Sequence, residues 1–331
     1  MRGSSGGREA TAVGTRVARL LGGGLRYAGA VGGGSICAAW RVELTPASAS
    51  APTTAPAPTT APLATPAPAP VPPAARARTV FAKTLPDAPP DFFAAEAAGL
   101  RDLRDTGAVA VPGTAAVTEG LLVLDWVEPG PPTPAQAERL GRDLAALHAT
   151  PAPSYGTPGR AAYLGPLPLT SPDPAHPATR AADWPAFHAE HRLLPFLRRA
   201  VDNGALEPAD AAAVERLCGT LDRVAGPPQP PAVIHGDLWS GNVHWSADGR
   251  AHLVDPAAQG GHPETDLALL ELFGCPLLTR VLAAYEELRP VDGRAARVPL
   301  HQLQHLLVHA ALFGAGYGAR CGAAARAALA S

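Results

Sequence analysis

The sequence predicts an α+β fold in two lobes, with a small antiparallel sheet within residues 1–125 and a mostly helical part over 126–331. Three observations predict it. A chain of 331 residues is long enough to bury two cores. Ahead of residue 126 the apolar residues come in short alternating runs separated by Gly- and Pro-rich punctuation, as strands and turns do. Beyond it they recur at three- and four-residue intervals, as helices with one buried face require.

The N-terminus, MRGSSGGREATAVGTRVARL, is Gly-rich and lacks the continuous apolar core of a signal peptide. A short helix is expected over Thr11–Leu21. Leu25–Ala28 and Ala38–Val42 read as strands flanking Gly32-Gly33-Gly34-Ser35. A Gly-rich hairpin lets backbone N–H groups approach phosphate oxygens with no Cβ in the way. Residues 45–76 then interrupt the lobe with 32 residues dominated by Pro, Ala and Thr, ten of them Pro and none aromatic. With nothing to bury, they are expected to form a disordered, polyproline-leaning excursion. They are not a domain linker, because the apolar pattern resumes at once with a strand that the upstream hairpin needs. Lengthening a turn by three doublings costs only about 2 kcal/mol of closure entropy.

Thr79–Lys83 alternates as that strand and puts Lys83 on the face of Thr79 and Phe81. Helical spacing follows Asp91, turning Phe92, Phe93, Leu100 and Leu103 to one side and carrying Glu96. Leu121–Glu128 is the most apolar run of this half and reads as a strand, ended by Pro129-Gly130-Pro131-Pro132. Thr133-Pro134-Ala135-Gln136 supplies an N-cap, a first-turn Pro and an N3 partner for a helix through His148. Leu140, Leu144 and Leu147 give that helix its packing stripe, and His148 is read as structural. A Pro-rich loop over 149–182 leads to Asp183-Trp184-Pro185, which caps a helix bearing Phe187, Arg192, Leu193 and Leu194, with Pro195 expected to kink it. Pro208–Val224 spaces Val214, Leu217 and Leu221 for a core. Arg297–Tyr317 is amphipathic, with His301, His305 and His309 every four residues along one face. No acidic or cysteine partner accompanies them, so they read as packing residues and not as a metal ladder.

The formal net charge of -2 and the sequence pI of 6.6 suggest neither a nucleic-acid partner nor an anionic membrane surface. Cys37, Cys218, Cys275 and Cys321 show no metal-finger spacing and fit a reducing cytoplasm better than a disulfide framework. No apolar run is long enough to suggest a membrane span.

The chemistry-bearing residues gather in 232–266, AVIHGDLWSGNVHWSADGRAHLVDPAAQGGHPETD. Ala232–Ile234 reads as a buried strand delivering the loop His235–Asn242. Val243–Trp245 and Arg250–Val254 are joined by Ser246-Ala247-Asp248-Gly249, a hairpin signal. Asp255 follows Asn242 by thirteen residues, so a hairpin folding back on itself sets the two side by side, with Asp237 facing them. This suits phosphoryl transfer: Asn242 and Asp255 offer oxygen ligands of the kind magnesium takes, and Asp237 would orient the attacking hydroxyl and accept its proton. The Asp-x-x-x-x-Asn spacing matches the catalytic loop of protein kinases, with Gly236 in place of the Arg. Turn preference explains any one of these residues alone, but not all three at this spacing between apolar strands.

HGDLWSGNV, then DPA, then GH-x-E-x-D-L-A resemble the fructosamine (ketosamine) kinases, relatives of aminoglycoside and choline kinases. The His-Gly-Asp to Asn element alone indicates only the wider group. Trp239-Ser240-Gly241 and the string from Gly261-His262 to Asp266-Leu267-Ala268 narrow it, and Gly32-Gly33-Gly34-Ser35-Ile36 is similar to that family's G-G-G-[CS]-I segment. The resemblance covers nearly the whole chain apart from the Pro/Ala insert. It implies a protein-kinase-like fold using ATP and Mg2+ to phosphorylate the C3 hydroxyl of a ketosamine, either a small glycated amine or a glycated protein lysine. The unstable product is how the family reverses glycation.

Residue by residue, the resemblance gives Gly33, Gly34 and Ser35 to the phosphates, and Lys83, paired with Glu96, to the α and β phosphates. The run Asp125, Trp126 and Val127 leads into a hinge whose backbone meets an adenine edge. Asp237 is the base, and Asn242 and Asp255 are the metal ligands. Asp266 bonds the catalytic-loop backbone, His262 and Glu264 are candidates for the same supporting shell, and His235 packs under the loop. Trp239, next to the base, is a candidate for contacting the sugar face, with a buried packing role as the equal alternative. Two departures stand out: Ser35 occupies the place of a redox cysteine found in some relatives, with Cys37 two residues on, and Gln259-Gly260 stand where relatives often carry two Tyr. A monomer or homodimer in the cytoplasm is expected. Two rivals remain: an aminoglycoside- or choline-type kinase, which an acidic cluster in the C-terminal half would favour, and a nucleotide-binding pseudokinase scaffold, against which Lys83, Asp237, Asn242 and Asp255 speak.

Overall fold

The structure, a computed structural model, describes residues 3–32, 36–46, 77–173 and 183–331. The phosphate-cradling expectation for Gly33, Gly34 and Ser35 and most of the Pro/Ala excursion therefore lie outside the described residues. By internal contacts the chain divides into two units, Met1–Leu85 with Leu121–Trp126, and Pro86–Gly120 with Val127–Ser331.

The first unit opens with a helix, Gly3–Leu21, that starts well ahead of the expected Thr11. Gly22 at φ +71° ends it, and the Gly23 N–H reaches back to the Ala18 carbonyl at 2.9 Å, a left-handed glycine cap. The strands Gly24–Val31, Ala38–Thr45, Arg78–Thr84 and Leu121–Asp125 follow in that order, four of the five strands of an antiparallel sheet. Their alternation is the expected one. Trp40, Val42, Leu44, Val80 and Ala82 are buried, while Thr79 and Phe81 are partly covered. Lys83, paired in register with Leu122, is only 5% exposed, which is rare for a lysine.

The second unit takes in residues 86–120, which the sequence assigns to the first lobe. The reason is burial. Helix Phe92–Asp105 places Leu103 in one core with Leu140, Leu144, Leu238 and Leu253. Its Gly99 lets Ala258 and Pro256 approach to 3.3 and 3.4 Å of where a Cβ would sit. Helix Pro134–His148 carries the full capping box between Thr133 and Gln136. The same Gln136 amide donates to the Ser246 carbonyl at 2.8 Å, fastening this helix to the later hairpin.

Asp183 caps Trp184–His188 as expected, but the helix widens into a π-turn over Ala189–Leu193 before continuing as Leu194–Asp202. Pro195 thus sits in a first turn, where its missing N–H costs little. The single helix expected over Pro208–Val224 breaks after Cys218 and resumes at Leu221. Helix Arg294–Phe313 stops before Gly314 at φ +88° and gives way to a short 3-10 turn, Ala315–Tyr317. It shares the second large core with Phe187, Phe196, Leu197, Val214 and Leu217. Among the described residues, no helix is long and apolar enough to cross a membrane.

Candidate active site

Strand Ala232–Ile234 pairs antiparallel with Gln259–Gly261, and Val233 N–H donates to the Thr150 carbonyl at 2.9 Å, so the entry to the His235–Asn242 loop is held from two sides. Gly236 stands at φ +81°, and a Cβ there would run into the Ala257 carbonyl, so only glycine fits. After the loop, Val243–Trp245 and Ala251–Leu253 form the expected hairpin, Val243 opposite Leu253. Val254 N–H donates to the Asn242 carbonyl at 3.0 Å. The Asn242 amide nitrogen donates to the Asp237 backbone carbonyl at 2.8 Å and its carboxylate Oδ2 at 3.1 Å, and lies 3.5 Å from the Asp255 carbonyl. The structure thus brings Asp237, Asn242 and Asp255 together. Asp255 adopts φ +54°, a left-handed backbone that turns the chain sharply as it leaves the hairpin. With its nitrogen committed, the Asn242 amide has its oxygen as the acceptor end. That oxygen and the Asp255 carboxylate are hard donors of the type magnesium takes, so the residues present fit such an ion.

The loop is hung from a buried carboxylate. Asp266, fully buried on helix Pro263–Leu272, accepts from His235 N–H at 2.7 Å and Gly236 N–H at 2.9 Å. His148 Nε2 donates to it at 3.2 Å, and His148 Nδ1 accepts from the Tyr285 hydroxyl at 3.0 Å. Burial alone would raise the Asp266 pKa, but the hydrogen bond from His148, the electrostatic pull of the His148 and His235 rings and the Gly236 N–H together hold it below the ordinary carboxylate value. His235 is buried beneath the loop as expected. Its Nδ1 accepts from Asp237 N–H at 3.2 Å and its Nε2 donates to the Val254 carbonyl at 2.9 Å, tying loop to hairpin.

His305 is a contact the sequence does not reveal. Its Nε2 donates to the Gly236 carbonyl at 3.1 Å and lies 3.7 Å from Asp237 Oδ1. Its helical spacing marks only a face, and what that face meets is set by the fold. Trp239 is half-buried, folded over Gly241, which has no room for a Cβ.

His262 and Glu264 do not join the loop in the way expected. His262 Nδ1 accepts from Glu264 N–H at 3.2 Å, capping its helix. Glu264 is gripped by Arg297 through Nε at 3.1 Å to both oxygens and Nη2 at 2.8 Å. His301 bonds Thr265 and lies 3.9 Å from Glu264, so the histidine face does meet an acid. The ligand atoms of His262, Glu264 and His301 lie within 4.8 Å of one another, all buried. Arg297 already neutralises the carboxylate, and we read the group as a buried ion pair with imidazoles packed round it. Gln259 accepts from the buried Arg192, and Gly260 has no room for a side chain against the Ser154 carbonyl.

Elsewhere, Asp125 pairs with Arg78 at 2.8 Å, and Trp126 lies under the Arg41 guanidinium at 5.3 Å. The Val127 carbonyl accepts from His244 Nε2 at 3.1 Å, so it is committed to the hairpin. Glu96 is half-buried on its helix.

The buried imidazoles carry a pH prediction. His188, His262 and His301 pack on Trp184 at ring distances of 4.6, 4.8 and 4.7 Å. Burial, reinforced by Arg192 or Arg297, lowers His188 and His262 to about 3 and His301 well below its ordinary value. Burial lowers His305 to about 4. These bases are neutral when folded and take up protons on unfolding once the pH drops below about 6.5, each removing about 1.4 kcal/mol per pH unit until its folded pKa is reached. Asp266 adds a second loss only below about 4, the unfolded carboxylate range. The expected result is a melting temperature that is high at pH 7 and falls steeply by pH 5. Equal melting temperatures at the two would contradict neutral burial.

The fold and this loop define a protein-kinase-like phosphotransferase. The fructosamine kinase family model matches residues 73–330, and the chain belongs to that family. It is 39% identical over 234 residues to a protein of Thermus thermophilus named a probable ketoamine kinase, covering 70% of this chain and 80% of that one. It is 29% identical over 246 residues to the chloroplastic protein-ribulosamine 3-kinase of Oryza sativa, covering 72% and 68%. A crystal structure from Thermobifida fusca, provisionally named fructosamine-3-kinase, superposes with a TM-score of 0.80 at 42% identity over 96% of this chain and 99% of that one. The chain is therefore a kinase with an alcohol group as acceptor. Choline and aminoglycoside phosphotransferases, at 14% and 10% identity, share the fold alone.

Proposed function

We propose that the protein transfers the γ-phosphoryl of ATP, with Mg2+, to the C3 hydroxyl of a ketosamine, and that the phosphorylated product then falls apart, reversing glycation. The observation that carries this is the grouping of Asp237, Asn242 and Asp255 on a loop hung from Asp266. Asp237 orients the hydroxyl and accepts its proton as the phosphoryl group moves. Asn242 holds the Asp237 carboxylate in place through its nitrogen and, with Asp255, would hold the metal. Bound magnesium supplies charge neutralisation at the phosphate oxygens. Gly33, Gly34, Ser35 and Lys83 are assigned to the phosphates, with Glu96 in the supporting role the family resemblance gives it. The backbone of Asp125 to Val127 is assigned to the adenine. Trp239 faces the sugar.

The test is a panel of fructosyl-, ribulosyl- and erythrulosyl-amines against aminoglycosides and choline, scored for magnesium-dependent ADP release. Turnover of the ketosamines is expected. Turnover of the aminoglycosides or choline alone would overturn the reading, and ADP release with none of them would favour the scaffold alternative.

A further inference from the structure

A row of half-exposed rings leads away from Asp237. Trp239 meets Phe273 edge-on with centroids 5.9 Å apart, and Phe273 lies 5.0 Å from His309. His309 in turn lies 5.5 Å from Phe313 and 4.9 Å from Tyr317. Phe313, at the end of its helix, is 52% exposed. Aromatic residues make up only 5% of this chain, so four in one continuous, partly exposed run is a concentration that packing alone does not require.

Two independent connections set this row beside the base. Trp239 is two residues from Asp237 on the loop. His305, which touches the Gly236 carbonyl and lies 3.7 Å from Asp237 Oδ1, precedes His309 and Phe313 by one and two turns on a single helix face. The row therefore starts next to the catalytic carboxylate and runs outward for about 12 Å, eight residues of helical rise.

We propose that this row is the subsite for the amine carrier of the ketosamine, selecting carriers with an apolar or aromatic body; the inference rests on the reading of Asp237 as the base. In a ketosamine the nitrogen is three bonds from the carbon bearing the C3 hydroxyl. A hydroxyl seated at Asp237 leaves the carrier starting close by, and it has to leave along a neighbouring surface. The secondary amine is protonated near neutrality, and a cation over an aromatic face is attracted to the ring. Further out, Phe273 and Phe313 offer broad apolar faces for hydrocarbon or a second ring, and Tyr317, with the Arg320 guanidinium over its ring at 5.7 Å, closes the row. Trp239 thus takes the sugar end, and the rings beyond it read the carrier.

The test uses two ketosamines of one sugar, carried on methylamine and on phenethylamine, with steady-state kinetics on the wild-type chain, Phe313→Ala and Tyr317→Ala. The wild type is expected to show a KM at least about tenfold lower for the phenethylamine adduct, and each variant is expected to lose most of that preference. Because Phe313 is largely at the surface, its replacement does not unfold the chain, and an unchanged KM for ATP will show this. Equal KM values for the two adducts in the wild type, or the same preference in both variants, overturn the subsite while leaving the proposed function standing. Failure of both adducts to be phosphorylated overturns the proposed function and the subsite with it.

Discussion

Asp237→Asn is expected to lower turnover by at least about a hundredfold, the low end of what a positioned general base contributes, while nucleotide still binds. The substitution is nearly isosteric. The Asn242 amide keeps an acceptor at that position, and the backbone of the loop stays hung from Asp266, because His235 and Gly236 donate to it through their own N–H groups. What is lost is the capacity to take a proton from the acceptor hydroxyl. ADP release measured under saturating substrates gives the turnover, and calorimetric titration with a nonhydrolysable nucleotide gives the binding. Unchanged turnover would remove Asp237 from the mechanism.

Asp266→Ala has the larger effect on stability. This one carboxylate satisfies two loop N–H groups and His148, with no exposure to solvent. Removing it leaves three buried donors without their acceptor. Breaking a buried charged group away from its partners typically costs about 3–5 kcal/mol, a large part of the roughly 5–15 kcal/mol that holds most domains folded. A urea unfolding curve should move accordingly. The folded fraction should also lose turnover, because Asp237 follows the two residues whose amides are released. A shift below about 1 kcal/mol would show that the loop is held by something else.

Much of this site is legible in the sequence because it is local. The spacing from Asp237 to Asn242 lies on one loop, and an Asp-Gly turn signals the hairpin that returns Asp255 to Asn242. The Thr133–Gln136 capping box is a four-residue pattern, and it forms as read. Asp266 follows from the same stretch, and its hydrogen bonds to His235 and Gly236 show it supporting the loop. The rest depends on contacts distant in sequence. His305 is indistinguishable from His301 and His309 by spacing, yet one meets Gly236, one meets Thr265 and one lies among Phe273, Phe313 and Tyr317. Glu264 finds Arg297 thirty-three residues later, so its charge is consumed in a pair that no local pattern announces. Helix Phe92–Asp105 follows a strand of the first unit in the chain, but its buried face matches Leu140 and Leu238, and that face decides which unit it joins. Pro195 reads as a kink, and a π-turn absorbs it instead.

The central claim is that Asp237 delivers a sugar hydroxyl at C3 to a phosphoryl donor. The measurement that meets it most directly is phosphorus–proton correlation NMR of the product formed from a fructosyl amine, ATP and magnesium. The account predicts a single phosphate ester whose phosphorus couples to the proton on C3, formed by the wild type and not by Asp237→Asn. An ester at another hydroxyl, or ATP converted to ADP and inorganic phosphate with no sugar phosphate ester detected even at early times, would contradict it.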